Sequence, residues 1–202
     1  MNHQPPVGVV PILRVVLTDA NVLYSRVLRD YVLYAAEHRI IAVAWSREIL
    51  IETTDNLMRN RPGFTRDSAD RLITALTRTF PYAEIDPEPN HFARLAHLNL
   101  PDEGDRHVIA AALAAEADVI CTSNTRDFPS AVVAELDLTV LTPGELICRL
   151  VSEFPVTMRA VHRTAVANLP GATDESTLAA LRRAGSRQAA AAMERLLEQD
   201  KA

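Results

Sequence analysis

Cysteine is nearly missing from this 202-residue chain, which has only Cys121 and Cys148. Two thiols far apart in the sequence exclude a disulfide framework and a paired-cysteine zinc knuckle. Both lie in apolar stretches, as buried thiols of a reducing compartment do. Glycine is scarce too: 6 Gly and 12 Pro exclude a collagen-like or linker-dominated chain. No stretch approaches the roughly 18 apolar residues that span a bilayer. Met1 to Pro6 is polar, and Pro11 and Arg14 interrupt the apolar run behind it. Without a basic start and a clean hydrophobic core, no signal peptide is read, and the expected location is the cytoplasm. Lys201 is the one lysine among 21 basic residues, a bias so complete that it points to base composition. A surplus of positive charge is also lacking. Acids outnumber bases 26 to 21, for a net charge of -5, which argues against a basic coat on nucleic acid.

What the chain does have is a core. It is 48% hydrophobic and 23% charged, enough to fold and stay dissolved. Its length suits one ordinary domain with about fifty residues to spare. Charge is unevenly placed: residues 1–150 sum to −6 and residues 151–202 to +1.

Hydrophobic period alternates between strand and helix along the chain. Val15-Val16-Leu17 reads as a buried strand ending at Thr18-Asp19, followed by one helix over 21–39. A second strand covers 40–45, and Ser46 caps the next helix, which Asn60-Arg61-Pro62-Gly63 breaks. Another helix covers 66–79, a short third strand 82–85, and a helix 88–98. After a polar loop at 99–104, a helix over 105–117 leads to a strand at 119–122. The last strand lies at 138–141, with Pro143 opening a closing helix. This order implies an α/β fold on a parallel sheet, with ligands bound outside the C-terminal strand ends. Beyond Phe154-Pro155 the texture becomes helical: one helix to about 169, a Pro170-Gly171 break, then a last helix to about 199 capped by Asp174 or Ser176. The apolar stripe of that helix is expected to cover a face of the body or a partner.

Acids gather at the sheet edge where such a fold binds. Asp19 follows the first strand, where it is equally an N-cap. Glu52 lies near the apolar side of the second helix, with Glu48 one turn earlier as a rival. Asp102 and Asp105 flank Glu103-Gly104 at a loop-to-helix junction, Asp105 again in a capping position. Asn124 and Asp127 follow the fourth strand, where turn formers also belong. Clustered carboxylates raise one another's pKa unless a cation resolves the conflict. All-oxygen donors select Mg²⁺ or Mn²⁺ over zinc, and such ions support hydrolysis of a phosphodiester. A haloacid-type phosphatase fits poorly, because Asp19-Ala20-Asn21 lacks the second Asp that chemistry uses.

Four ordered segments carry a resemblance: Thr18-Asp19-Ala20-Asn21, Glu52, the run from Asp105-Arg106-His107 to Ala112, and Thr122-Ser123-Asn124-Thr125-Arg126-Asp127-Phe128. Over roughly residues 14–148 the chain resembles PIN-domain ribonucleases, and among them the VapC-type toxins of bacterial toxin–antitoxin pairs. The resemblance implies a Rossmann-like α/β/α sandwich with a central parallel sheet over 1–150, followed by a helical C-terminal extension over 151–202. It implies cleavage of RNA with Mg²⁺ or Mn²⁺, a homodimer, and a small antitoxin whose tail plugs the acidic groove. By motif, Asp19, Glu52, Asp105 and Asp127 are the catalytic acids, with Asp19, Asp105 and Asp127 on the metal. Asp102, Thr122, Ser123 and Asn124 support them, and His107 reads as a helix-surface residue outside the set. Two alternatives stand beside the toxin: a housekeeping PIN nuclease of RNA maturation, and a catalytically silent PIN-like interaction module.

Overall fold

The computed structural model describes residues 14–199. Four strands, β1 (Arg14–Thr18), β2 (Ile41–Ala44), β3 (Val119–Cys121) and β4 (Thr139–Leu141), form one sheet in the order β2-β1-β3-β4. Every pairing is parallel: Val16 lies opposite Val43 on one side and Val119 on the other, and Cys121 pairs with Leu141. The strands are nearly continuous apolar runs, as burial on both faces requires. Helices flank the sheet in the α/β/α arrangement that the resemblance implies.

The helices of the body are α1 (Ala20–Tyr24), α2 (Arg26–Glu37), α3 (Arg47–Asn60), α4 (Arg66–Thr79), α5 (Pro89–Arg94), α6 (Arg106–Ala114) and α7 (Ser130–Glu135). Ser46 caps α3 by accepting the Ile49 N–H at 3.2 Å, as its position suggested. The helix expected over 21–39 is two helices broken at Ser25, whose ψ of 111° is extended. Its apolar spacing continues across the break, which hides it from periodicity. The strand expected over 82–85 is a single bridge between Trp45 and Glu84. The Ala83 N–H turns back to the Phe80 carbonyl and Pro87 lacks an N–H, so the ladder extends in neither direction. The short α7 was not expected at all.

Three helix-to-strand turns repeat one device. Arg39, Glu116 and Asp137 each adopt a positive φ, between 48° and 58°, directly after α2, α6 and α7. The next residue then donates back into the helix: Ile40 to Ala35, Ala117 to Ala112, Leu138 to Val133. These are Schellman closures that satisfy the last carbonyls and aim the chain into the sheet.

Beyond β4 come α8 (Pro143–Glu153), α9 (Pro155–Ala167), α10 (Asp174–Arg183) and α11 (Arg187–Glu198). A capping box between Thr142 and Glu145 opens α8. The last helix, expected unbroken, divides at Gly185, where φ is +83° and the Ser186 N–H closes onto Leu181. Its cap is Thr173, accepting from the Ser176 N–H, rather than Asp174 or Ser176. α9 and α10 pack on α2, and α11 on α8. Met158, Val161, Leu181 and Met193 are fully buried in the same core as the sheet residues Leu17 and Ile120. A polar chain also ties the extension to the body. The Tyr31 hydroxyl donates to His162 Nδ1 at 2.5 Å, and His162 Nε2 meets Asp174 at 3.2 Å.

Candidate active site

The parallel register brings the C-terminal ends of β1 and β3 side by side, Thr18 opposite Cys121. Asp19 and Thr122 are the next residues out, and the Asp19 N–H donates to the Cys121 carbonyl at 3.1 Å. Asp19 is only 5% exposed. It does both jobs its position allowed. Oδ1 caps α1 through the Ala20 N–H at 2.7 Å, while Oδ2 accepts from the Thr122 hydroxyl at 2.6 Å and from the Asn21 amide. Burial pushes its carboxyl pKa up, against these donors and the nearby His107.

Thr122 is the hub of the supporting shell. Its hydroxyl also accepts from the Asn21 amide and the Asn124 N–H, both at 3.0 Å. Ser123 enters through its backbone instead: its N–H donates to Asn21 Oδ1 at 2.8 Å, and its side chain is exposed. Asn21, two residues past Asp19, thus joins both loops and belongs to the site although the motif acids drew the attention. The Asn124 amide hydrogen-bonds the Asp127 carboxylate on the short 3₁₀ turn Thr125–Asp127, so these two residues act as a pair.

Asp105 stands at the start of α6 and accepts no capping hydrogen bond. The capping residue is Asp102, which accepts the Gly104 N–H at 2.7 Å and opens the 3₁₀ turn Glu103–Asp105. Asp105 is therefore left facing other acids. Burial, then Asp127, Asp19 and Asp102, push its pKa from 3.8 up to about 7. Glu52, in α3, has a pKa raised by burial and by Asp19.

His107 faces the α3 wall. Its ring lies 3.7 Å from Glu48 and 3.8 Å from Glu52, its side chain is 14% exposed, and Nδ1 is buried without a hydrogen-bond partner. The expected surface histidine instead points between two carboxylates. A helix position two residues after Asp105 was the only sequence signal for it. Together Glu48, Glu52, Asp55, Asp102, Asp105 and His107 line a cleft of about 500 Å³, along with Arg59.

Asp127 and Asp19 both bear on Asp105, and Asp19 on Glu52, so the four acids converge. Among the described residues no three His, Cys, Asp or Glu side chains already stand in ligating geometry. The donor chemistry still fits a hard divalent cation: the converging groups are carboxylates, and their mutual repulsion is what such a cation relieves.

A family model for the PIN domain matches residues 14–126, more than half of the chain. The chain belongs to the PIN-domain family. PIN domains are generally nucleases, and those nucleases generally use divalent metals. The match spans Asp19, Glu52, Asp105 and Asn124, ends one residue before Asp127, and excludes α8 to α11. No curated protein and no solved structure matches the chain. Among the described residues, no helix of this PIN protein is long and apolar enough to cross a membrane.

Proposed function

We propose that this PIN protein is a Mg²⁺- or Mn²⁺-dependent endoribonuclease, the toxin of a type II toxin–antitoxin pair. The carrying observation is Asp105, an uncapped acid held among Asp19, Asp102 and Asp127 with its pKa near 7. Such repulsion costs stability and has no structural use, which marks a functional site. Asp19, Asp105 and Asp127 would hold the cation. When bound, it supplies an activated water and neutralises charge developing on the phosphodiester.

The chain's own groups supply position. Thr122 and Asn21 fix the Asp19 carboxylate in one orientation. Asn124 does the same for Asp127. Glu52, half-exposed on the α3 wall, would orient water entering the cleft, with the His107 ring 3.8 Å from its carboxylate. The open acidic cleft also suits a cationic antitoxin segment, and the resemblance adds a homodimer in the cytoplasm. Residues 1–150 form the nuclease domain in this reading, and 151–202 an extension.

The test is RNA cleavage by the wild type beside Asp19→Asn and Asp105→Asn, with Mg²⁺ or Mn²⁺ and with chelator. Cleavage that needs the metal and falls at least a hundredfold in both variants supports the reading. An inert wild type that binds no metal overturns it in favour of an interaction module. Growth arrest relieved by a small co-purifying protein supports the toxin role. Cleavage without arrest leaves the RNA-maturation reading instead.

A further inference from the structure

A second cleft, of about 550 Å³, opens at the seam between body and extension. That volume is typical of small-molecule sites. α2 and the turn after α3 form one wall, α10 and the Leu169–Pro170–Gly171 turn the other. Val27, Leu169 and Ala180 make the lining largely apolar, and Arg26, Arg61 and Arg183 also line it. Asp30 is the one acid among the lining residues, 3.6 Å from Arg26. Arg61 and Arg183 have no carboxylate partner among the described residues, and Arg61 lies over the Tyr24 ring at 5.4 Å from its centre. Arg26 and Arg61 are close enough to the partly buried Arg29 to add to the lowering of its pKa. Thr177 completes the lining. It is 6% exposed, and its buried hydroxyl has no hydrogen-bond partner among the described residues.

We propose that this cleft binds a nucleotide, its phosphate held by Arg26, Arg61 and Arg183 and its base in the apolar lining beside the Thr177 hydroxyl. Planar guanidinium forks match phosphate oxygens and also stack on bases. The volume and apolar lining exceed what a lone phosphate uses, whereas a base needs an apolar slot with a hydrogen-bonding edge. The site rests on the ribonuclease reading for its nucleotide source, an RNA strand. α3 connects the two clefts: it carries Glu52 and Arg59 at the acidic cleft and leads to Arg61 about 13 Å further along, at about 1.5 Å per residue. A single strand cut at the acids would therefore place a flanking nucleotide against α10.

The experiment uses the full chain carrying Asp105→Asn, so that RNA is bound without being cut. Its probes are a single-stranded oligoribonucleotide and, separately, fluorescent adenosine monophosphate. Added to this background, the double variant Arg61→Ser with Arg183→Ser is expected to weaken oligonucleotide binding roughly tenfold and to flatten its salt dependence by about one log unit per log unit of salt. Thr177→Val and Ala180→Trp should also weaken it. Arg149→Ser, on α8 and outside both clefts, should not. All side chains changed in the double variant are exposed, and thermal melting confirms folding. Weakening with the mononucleotide alone also supports the site but makes free nucleotide its source. Unchanged binding of both probes across the variants overturns the proposal. Failure of the ribonuclease reading looks different: wild type that never cuts RNA, with mononucleotide still bound through Arg61 and Arg183.

Discussion

At the carboxyl ends of β1 and β3, Asp105 faces Asp19, Asp102 and Asp127, and each added acid makes its ionisation harder. At the seam between α2 and α9, Tyr31, His162 and Asp174 instead run as an alternating chain of donors and acceptors. Both regions bring titratable groups out of water. The seam satisfies them and uses them to fasten the extension to the body; the sheet edge leaves them in conflict. Nothing in the packing forces that conflict, since an Asn at position 105 would be nearly isosteric. The difference separates polar groups kept for assembly from polar groups kept for chemistry.

The seam side makes the largest prediction. If the extension is an integral part of the core, Met193→Ala, at a fully buried position in α11, should lower unfolding free energy by about 2–5 kcal/mol in urea titrations. RNA cleavage per folded molecule should stay unchanged. A loss under about 1 kcal/mol would mean that α11 is only loosely attached.

The polar chain comes next. His162→Phe leaves the buried Tyr31 hydroxyl unpaired and should cost about 1–3 kcal/mol. Burial also holds His162 below its ordinary pKa of 6.5, against the pull of Asp174. The unfolded chain therefore takes up this proton first as pH falls. The histidine's contribution is whole above about pH 6.5 and shrinks below it. Melting curves between pH 7.5 and 5 should show a steeper loss for the wild type than for the variant.

The sheet edge predicts the opposite sign. Asp105 has its folded pKa raised to about 7 from 3.8, so the folded state takes up the proton first as pH falls. Its repulsion is felt in full above about pH 7 and fades as pH drops toward 4. Asp105→Asn should therefore stabilise the protein at pH 8 by about 1 kcal/mol, a figure discounted for solvent screening, and abolish cleavage. The gain should vanish near pH 4. A variant that is destabilised at pH 8 would break the contrast between the two regions.

Much of this was legible in the sequence because buried parallel strands leave apolar runs with polar residues at their C-terminal ends. The pattern alone makes Thr18-Asp19 and Thr122-Ser123-Asn124 neighbours, and the register puts them there. Three features were hidden for physical reasons. The Ser25 break leaves the helical period intact, so periodicity passes over it. The role of His107 depends on Glu48 and Glu52 of α3 lying within 4 Å of its ring, a tertiary fact with no local trace. Asp102 and Asp105 are both acids at one helix start, and composition cannot say which one caps and which is left free.

The turns carry the smallest prediction, and they divide along the same line. Between α6 and β3 the left-handed position is held by Glu116, at φ 48°, whereas between α10 and α11 it is held by Gly185, at φ 83°. A side chain at positive φ costs about 1–2 kcal/mol, of which glycine returns part as unfolded-state entropy. Glu116→Gly should thus stabilise the protein by about 0.5 kcal/mol, since Glu116 is exposed and its side chain has no partner among the described residues. Gly185→Ala should destabilise by about 1 kcal/mol through the same term with its sign reversed. If Glu116→Gly instead destabilises, then the α6–β3 turn needs its stiffness. Because that turn feeds β3 into Thr122, the cost would appear as looser support of Asp19, read as reduced cleavage rather than reduced melting temperature alone.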